Sequence, residues 1–122
     1  MTAFVVSVPR PKSAGSRVSI FPGSATPALV AARRAFWIGY GFVSGDEVKE
    51  LEPGTRFELE VDGRPVSLET DVEVEDGRPV GKVSVASFPT GLGAGWHRFV
   101  GRWYDAGALT LTSDRWIEFV ER

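Results

Sequence analysis

Apolar and polar side chains alternate along much of the chain with a period of two, the repeat of a strand that has one buried and one wet face. In Arg56-Phe-Glu-Leu-Glu-Val61 the apolar Phe57, Leu59 and Val61 fall on one side and Arg56, Glu58 and Glu60 on the other. That spacing predicts a half-buried antiparallel strand. Asp62-Gly63 follows directly and predicts a tight hairpin turn, because both central positions of a type I′ turn need positive φ, which Asp and Gly adopt at low cost. The letters Asp-Gly-Arg-Pro-Val recur at 76–80, after the alternating run Val72-Glu-Val-Glu75. Two such turns in close succession predict a meander of three short strands.

Further strands are expected at 4–8, 17–21, 35–43, 82–88, 96–104, 108–112 and 115–120. About nine strands punctuated by turn residues every 8 to 12 positions is the pattern of a sandwich or barrel. Helix has two footholds. Thr26-Pro27 can cap and open one through Arg34, and Asp46 to Leu51 can form a single turn before Pro53-Gly54. The first is opposed by an apolar run that continues unbroken into β-rich Phe36-Trp37-Ile38.

Residues 1–24 differ in composition from the rest of the chain. Pro9, Pro11, Pro22, Gly15, Gly23 and five serines predict an extended arm, with the sandwich spanning 25–122. A terminus of this composition stays ordered only if its own sheet or a neighbouring molecule holds it.

A length of 122 residues without cysteine describes one domain whose core stands without disulfides. The first residues lack the basic start and cleavage region of a signal peptide, and no stretch approaches the ~20 apolar residues that span a bilayer. The expectation is a protein kept in the cytoplasm or released inside a larger particle, with no membrane partner. The net charge of −2 hides segregation: residues 1–44 carry five basic groups and no acid, whereas 45–76 carry twelve acids against three basic residues. Such polarity suits either head-to-tail contact between copies or pairing of the same regions within one chain. Nucleic acid is not an expected partner, since the basic residues are spread along the arm and the overall charge is negative.

Candidate chemistry is sparse. His97 is the sole histidine, which removes most nucleophile, general-base and zinc arrangements and leaves a structural role. The acids at 58, 60, 71, 73 and 75 alternate with apolar residues, as on a wet sheet face, rather than forming a glycosidase pair. A calcium loop would interleave the acids at 71–76 with Gly and Asn, not Val. Gly91-Leu-Gly-Ala-Gly95 precedes a strand, so it lacks the helix N-terminus that receives a phosphate and is expected to be a loop. No catalytic residue, metal or cofactor is therefore expected. Of the aromatic residues, Trp37, Trp103 and Trp116 are expected in the core, while Trp96 and Tyr104, at the two ends of one strand, are the candidates to face a ligand such as a sugar ring.

Four stretches together resemble the immunoglobulin-like β-sandwich modules of bacterial and phage proteins: Phe36-Trp-Ile-Gly-Tyr-Gly-Phe42, Phe57-Glu-Leu-Glu-Val-Asp-Gly-Arg-Pro-Val66, Gly95-Trp-His-Arg-Phe-Val-Gly-Arg-Trp103 and Trp116-Ile-Glu-Phe-Val120. The likeness covers about residues 17 to 120 and, lacking paired cysteines, is to the disulfide-free members. It implies an all-β, Ig-like antiparallel sandwich of about seven to nine strands and a habit of non-enzymatic attachment, adhesion or particle decoration, although a fold alone does not assign a function.

The functional expectation is a structural assembly protein that docks onto neighbouring subunits through its arm, as a homo-oligomer or part of a larger assembly such as a phage virion (capsid decoration or tail protein). Phe4, Val6 and Val8 would fill alternate pockets on an added strand, and Arg10, Lys12 and Arg17 would meet the acidic strands between Glu58 and Glu75. The alternative is an adhesion or carbohydrate-binding module of a bacterial surface or secreted protein.

Overall fold

The computed structural model describes residues 3–6, 15–23, 29–44, 51 and 54–121, with backbone alone for 3–6 and 44. Among them lie ten strands and no helix: β1 (Ala3–Val6), β2 (Ser16–Arg17), β3 (Leu29–Ala31), β4 (Phe36–Ser44), β5 (Arg56–Val61), β6 (Arg64–Pro65), β7 (Glu69–Glu75), β8 (Arg78–Phe88), β9 (Gly95–Asp105) and β10 (Ala108–Val120). Two sheets pack together. Sheet A runs β1-β4-β8-β7, with β2 also on β4, and sheet B runs β3-β10-β9-β5-β6.

The period-two pattern decides which side chains meet between the sheets. Phe36, Ile38, Tyr40 and Phe42 of β4 face Phe57, Leu59 and Val61 of β5, Phe99 and Trp103 of β9, and Ile117 and Phe119 of β10 in one apolar cluster. Trp103 lies at its centre, edge-on to Phe21 at 5.2 Å and to Tyr40 at 5.2 Å, and tilted against Phe57 at 5.0 Å. The Tyr40 hydroxyl accepts the Ile20 N–H at 2.7 Å, so this buried phenol is satisfied rather than stranded. Strand parity puts Gly101 on the inward face of β9, where a Cβ would come within 3.0 Å of both the Ile20 and Trp103 side chains.

Asp62-Gly63 and Asp76-Gly77 turn with φ of 52° and 79°, and of 50° and 76°, as the turn chemistry predicts. A third turn of this kind, Ala106-Gly107 at 53° and 85°, joins β9 to β10 without an Asp or Asn to announce it. The expected meander does not form. The first Asp-Gly turn closes β5 on β6 in sheet B, and the second closes β7 on β8 in sheet A. The connection at 66–68 changes sheets because Val66 and Leu68 pack against the central cluster, anchored by Val66 N–H donating to Leu59 O at 2.9 Å.

Two further expectations are corrected. Residues 29–31, inside the stretch where a helix had a foothold, form β3, which pairs in parallel with Glu118 to Val120; the sheet edge supplies hydrogen bonds that a short helix would have had to generate alone. The runs 108–112 and 115–120 are one strand, carried through Ser113 and Asp114 with a bulge between Leu109 and Leu111. Of the helical turn expected at 46–51, only Leu51 is described; it is buried and donates its N–H to Pro79 O.

Residues 15–23, grouped by composition with the arm, are built into the body. Val18 is 4 % and Ile20 0 % exposed, and Val18 N–H bonds Trp37 O.

Candidate functional site

The outer face of sheet B follows from the same parity that fills the core. On β9, Phe99, Gly101 and Trp103 point inward, so Trp96, Arg98, Val100, Arg102 and Tyr104 point outward. On β10, Ile117 and Phe119 point inward, so Asp114, Trp116 and Glu118 point outward. The register places Glu118 opposite Trp96 and Trp116 opposite Arg98.

Along this face the chemistry changes from end to end. Near Tyr104 it is a ladder of charges: Arg56 pairs with Glu58 at 2.9 Å, Arg102 with Glu60 at 3.4 Å, and the Arg56 guanidinium lies 4.0 Å over the Tyr104 ring. At the other end stand two open tryptophans, Trp96 at 60 % and Trp116 at 58 % exposure, with exposed Leu29 of β3 beyond Glu118. Arg98 reaches diagonally across the strands to Asp114 through two bonds, Nε to Oδ1 at 2.9 Å and the terminal nitrogen to Oδ2 at 2.5 Å. The same diagonal relates Trp96 to Trp116, a separation that aromatic side chains span. The ion pair holds the Asp114 carboxyl below its ordinary range and the Arg98 guanidinium above its own, chiefly through their mutual hydrogen bonds, so both remain charged beside the indoles.

Trp116 was expected in the core and is corrected to the surface; its parity with Glu118 and Asp114 was the signal that would have placed it there. Trp103 and Trp37 are buried. Tyr104 shares the face with Trp96, but eight residues along one strand separate them by about 26 Å, too far to hold the same sugar ring.

His97 points the other way from Trp96, to the end of the sandwich, where its ring meets Phe119 edge-on at 5.1 Å. Nδ1 lies 2.6 Å from Asp62 Oδ2 and Nε2 lies 2.8 Å from Gly93 O. Asp62 Oδ1 also accepts the Arg98 N–H at 2.9 Å. Burial alone would lower the His97 pKa, but the hydrogen bond to Asp62, the one to Gly93 O and the carboxylate charge outweigh it and hold the pKa above the ordinary 6.5. Burial would likewise raise Asp62; the His97 and Arg98 hydrogen bonds win and lower it.

No protein family, characterised protein or solved structure matches this chain. The site rests on its own geometry.

The residues expected to reach a partner are distributed differently. The backbone of Phe4 and Val6 is hydrogen-bonded within the chain's own sheet A, opposite Val43 and Gly41. Arg17 donates to Gly39 O at 2.8 Å and lies 5.0 Å over the Tyr40 ring, engaged internally rather than with an acidic strand. Val8, Arg10 and Lys12 lie outside the described residues. The acids of β7 project from an exposed edge strand, and among the described residues no three His, Cys, Asp or Glu side chains converge as metal ligands would. A groove of about 490 Å³ between β2 and β3 is lined by Val18, Leu29, Val30 and Phe36 together with Arg17 and Arg34. Its Arg17 is already engaged, whereas the tryptophan face combines open rings with a charged pair beside them.

Proposed function

We propose that this protein is a non-catalytic, Ig-like binding module that holds carbohydrate across Trp96 and Trp116. The observation that carries this reading is the pair of tryptophans more than half exposed on neighbouring strands of one sheet face. Large apolar rings held in water on a rigid sheet cost solvation and suit a ligand with flat C–H faces, which sugar rings present. Arg98, Asp114 and Glu118 stand beside them as donors and acceptors for hydroxyl groups. The face is open, so it favours an extended chain of sugars over a single enclosed one. A non-catalytic role is supported by His97, whose two ring nitrogens are both engaged in structural bonds.

Retention on insoluble cellulose, chitin, xylan and peptidoglycan tests the reading. Binding to at least one is expected, with Trp96→Ala and Trp116→Ala each weakening it and the double variant abolishing it. Absence of binding across the panel, or binding indifferent to both changes, sinks it.

A second reading, a subunit of a larger assembly such as a virion, draws on the same tryptophans as anchors of a protein interface, where this residue type concentrates binding energy. With β1 on its own sheet and Arg17 turned inward, this reading uses the sheet B face rather than the arm. It predicts self-association in sedimentation that Trp116→Ala reverses, and no glycan retention.

A further inference from the structure

Among the described residues, His97 faces two hydrogen-bond acceptors: a carboxylate oxygen at Nδ1 and a carbonyl oxygen at Nε2. A neutral imidazole carries one N–H, so it can satisfy only one of them; the imidazolium satisfies both. We propose that His97 is a pH-sensitive clasp that, when doubly protonated, ties the 62–63 turn to the approach of β9 and so fixes Trp96 at the edge of the sugar-binding face. The consequence for the ligand rests on the carbohydrate reading; the clasp itself does not.

The two tethers are unequal. Asp62 is anchored to β9 without His97, since its N–H donates to Arg98 O at 2.9 Å and its carboxylate accepts the Arg98 N–H. A carboxylate is also the stronger acceptor, so a neutral His97 keeps its remaining proton on Nδ1. The loss therefore falls on Gly93, whose carbonyl then meets the bare lone pair of Nε2. Upstream the loop stays attached, because Leu92 O accepts the Arg33 N–H at 2.7 Å and Gly91 N–H donates to Phe88 O at 3.1 Å. What is released is Gly93-Ala94-Gly95, exposed and two-thirds glycine, with Gly95 at φ 123°. Gly95 forms the last rung of the β9–β10 ladder, opposite Phe119, and Trp96 forms the rung before it, opposite Glu118. Loosening the segment frays the ladder at the position of the exposed indole.

The charged surroundings leave Asp62 as the partner that sets the titration. Residues 89–94 carry no ionisable side chain. On β10 the ring meets Phe119, Glu118 lies on the opposite face and Glu121 is paired with Arg33; the Arg98 side chain points to the outer face and is paired with Asp114. The raised pKa of His97 agrees with this geometry.

Because the chain has a single histidine, its ring resonance in an NMR titration is unambiguous. On the ligand-free protein between pH 5 and 9, His97 is expected to titrate above 6.5. The amides of Ala94 and Gly95 and the indole of Trp96 should move with the same midpoint, and the Ala94 and Gly95 amides should exchange faster on the alkaline side. In Asp62→Asn the midpoint should fall toward 6.5 or lower, and in His97→Gln the pH response at Trp96 should vanish. A midpoint at or below 6.5 in the unaltered protein, or a titration that leaves Gly95 and Trp96 still, overturns the clasp. These readouts involve no glycan, so failure of the carbohydrate reading leaves them intact.

Discussion

Strand β9 carries two tryptophans with opposite fates. Trp103 is fully buried among Phe21, Tyr40 and Phe57, and its indole N–H has no hydrogen-bond partner among the described residues; Trp96, seven positions earlier, is 60 % exposed. An odd separation on an unbulged strand puts the two rings on opposite faces, so the pleat separates a ring that makes the core from one that is left for something else. A similar contrast separates the outer faces of the two sheets. Trp37, on the outer face of sheet A, is buried beside Val83 and Val85 with the Arg17 guanidinium 5.7 Å away, whereas Trp116 on the outer face of sheet B stands in water. Burial of a tryptophan here is thus a property of the face and not of the residue type.

The contrast is broken most forcefully from the inside. Trp103→Ala removes the ring on which three aromatic neighbours pack, and denaturant unfolding should show a loss of about 3–5 kcal/mol. Gly101→Ala forces a methyl group against the Ile20 and Trp103 side chains, and the same measurement should show about 1–3 kcal/mol. Next comes pH. A folded His97 pKa raised above 6.5 contributes stability that is fully present below 6.5 and lost as pH rises through the folded value, so the melting temperature should decline across that interval. Asp62, lowered from 3.8, works in the opposite sense: its contribution is present above 3.8 and lost as pH falls through its folded value. Asp62→Asn should flatten the alkaline decline. The smallest effect is at the surface: Trp96→Ala and Trp116→Ala should change stability by no more than about 0.5 kcal/mol, while glycan retention collapses. A large loss of stability in either would make these rings structural and erase the distinction from Trp103.

What the sequence disclosed divides along the range of the physics. Alternation and Asp-Gly turns are local, so β5, β9 and both turns could be read directly, and the loop at 91–94 could be read from its glycines, although Gly95, expected in that loop, already opens β9. Sheet membership is not local. Whether Val66 and Leu68 carry the chain across the sandwich depends on a core assembled from β4, β9 and β10, and nothing between the two Asp-Gly turns announces it. β3 escaped notice because its strand identity comes from a partner at the other end of the chain. At the candidate site, Trp96 was legible from its place at the start of a strand. Trp116 was legible too, through its alternation with Ile117 and Phe119, but its apolarity argued for the core and the parity was the better guide. The clasp could not be read at all, since His97, Asp62 and Gly93 belong to a strand, a turn and a loop that only the closed sheet brings together.

The parallel pairing of β3 with the end of β10 has a kinetic consequence. Leu29 to Ala31 cannot find a partner until Glu118 to Val120 is in place, and no hairpin or short crossover can seed that contact. Loop-closure entropy must be met before this rung returns anything, and chains dominated by such distant pairings fold in milliseconds to seconds, not microseconds. The side of sheet B beside the tryptophans is therefore the last to close during folding, and in refolding experiments protection of the Val30 amide should trail that of the β9–β10 hairpin.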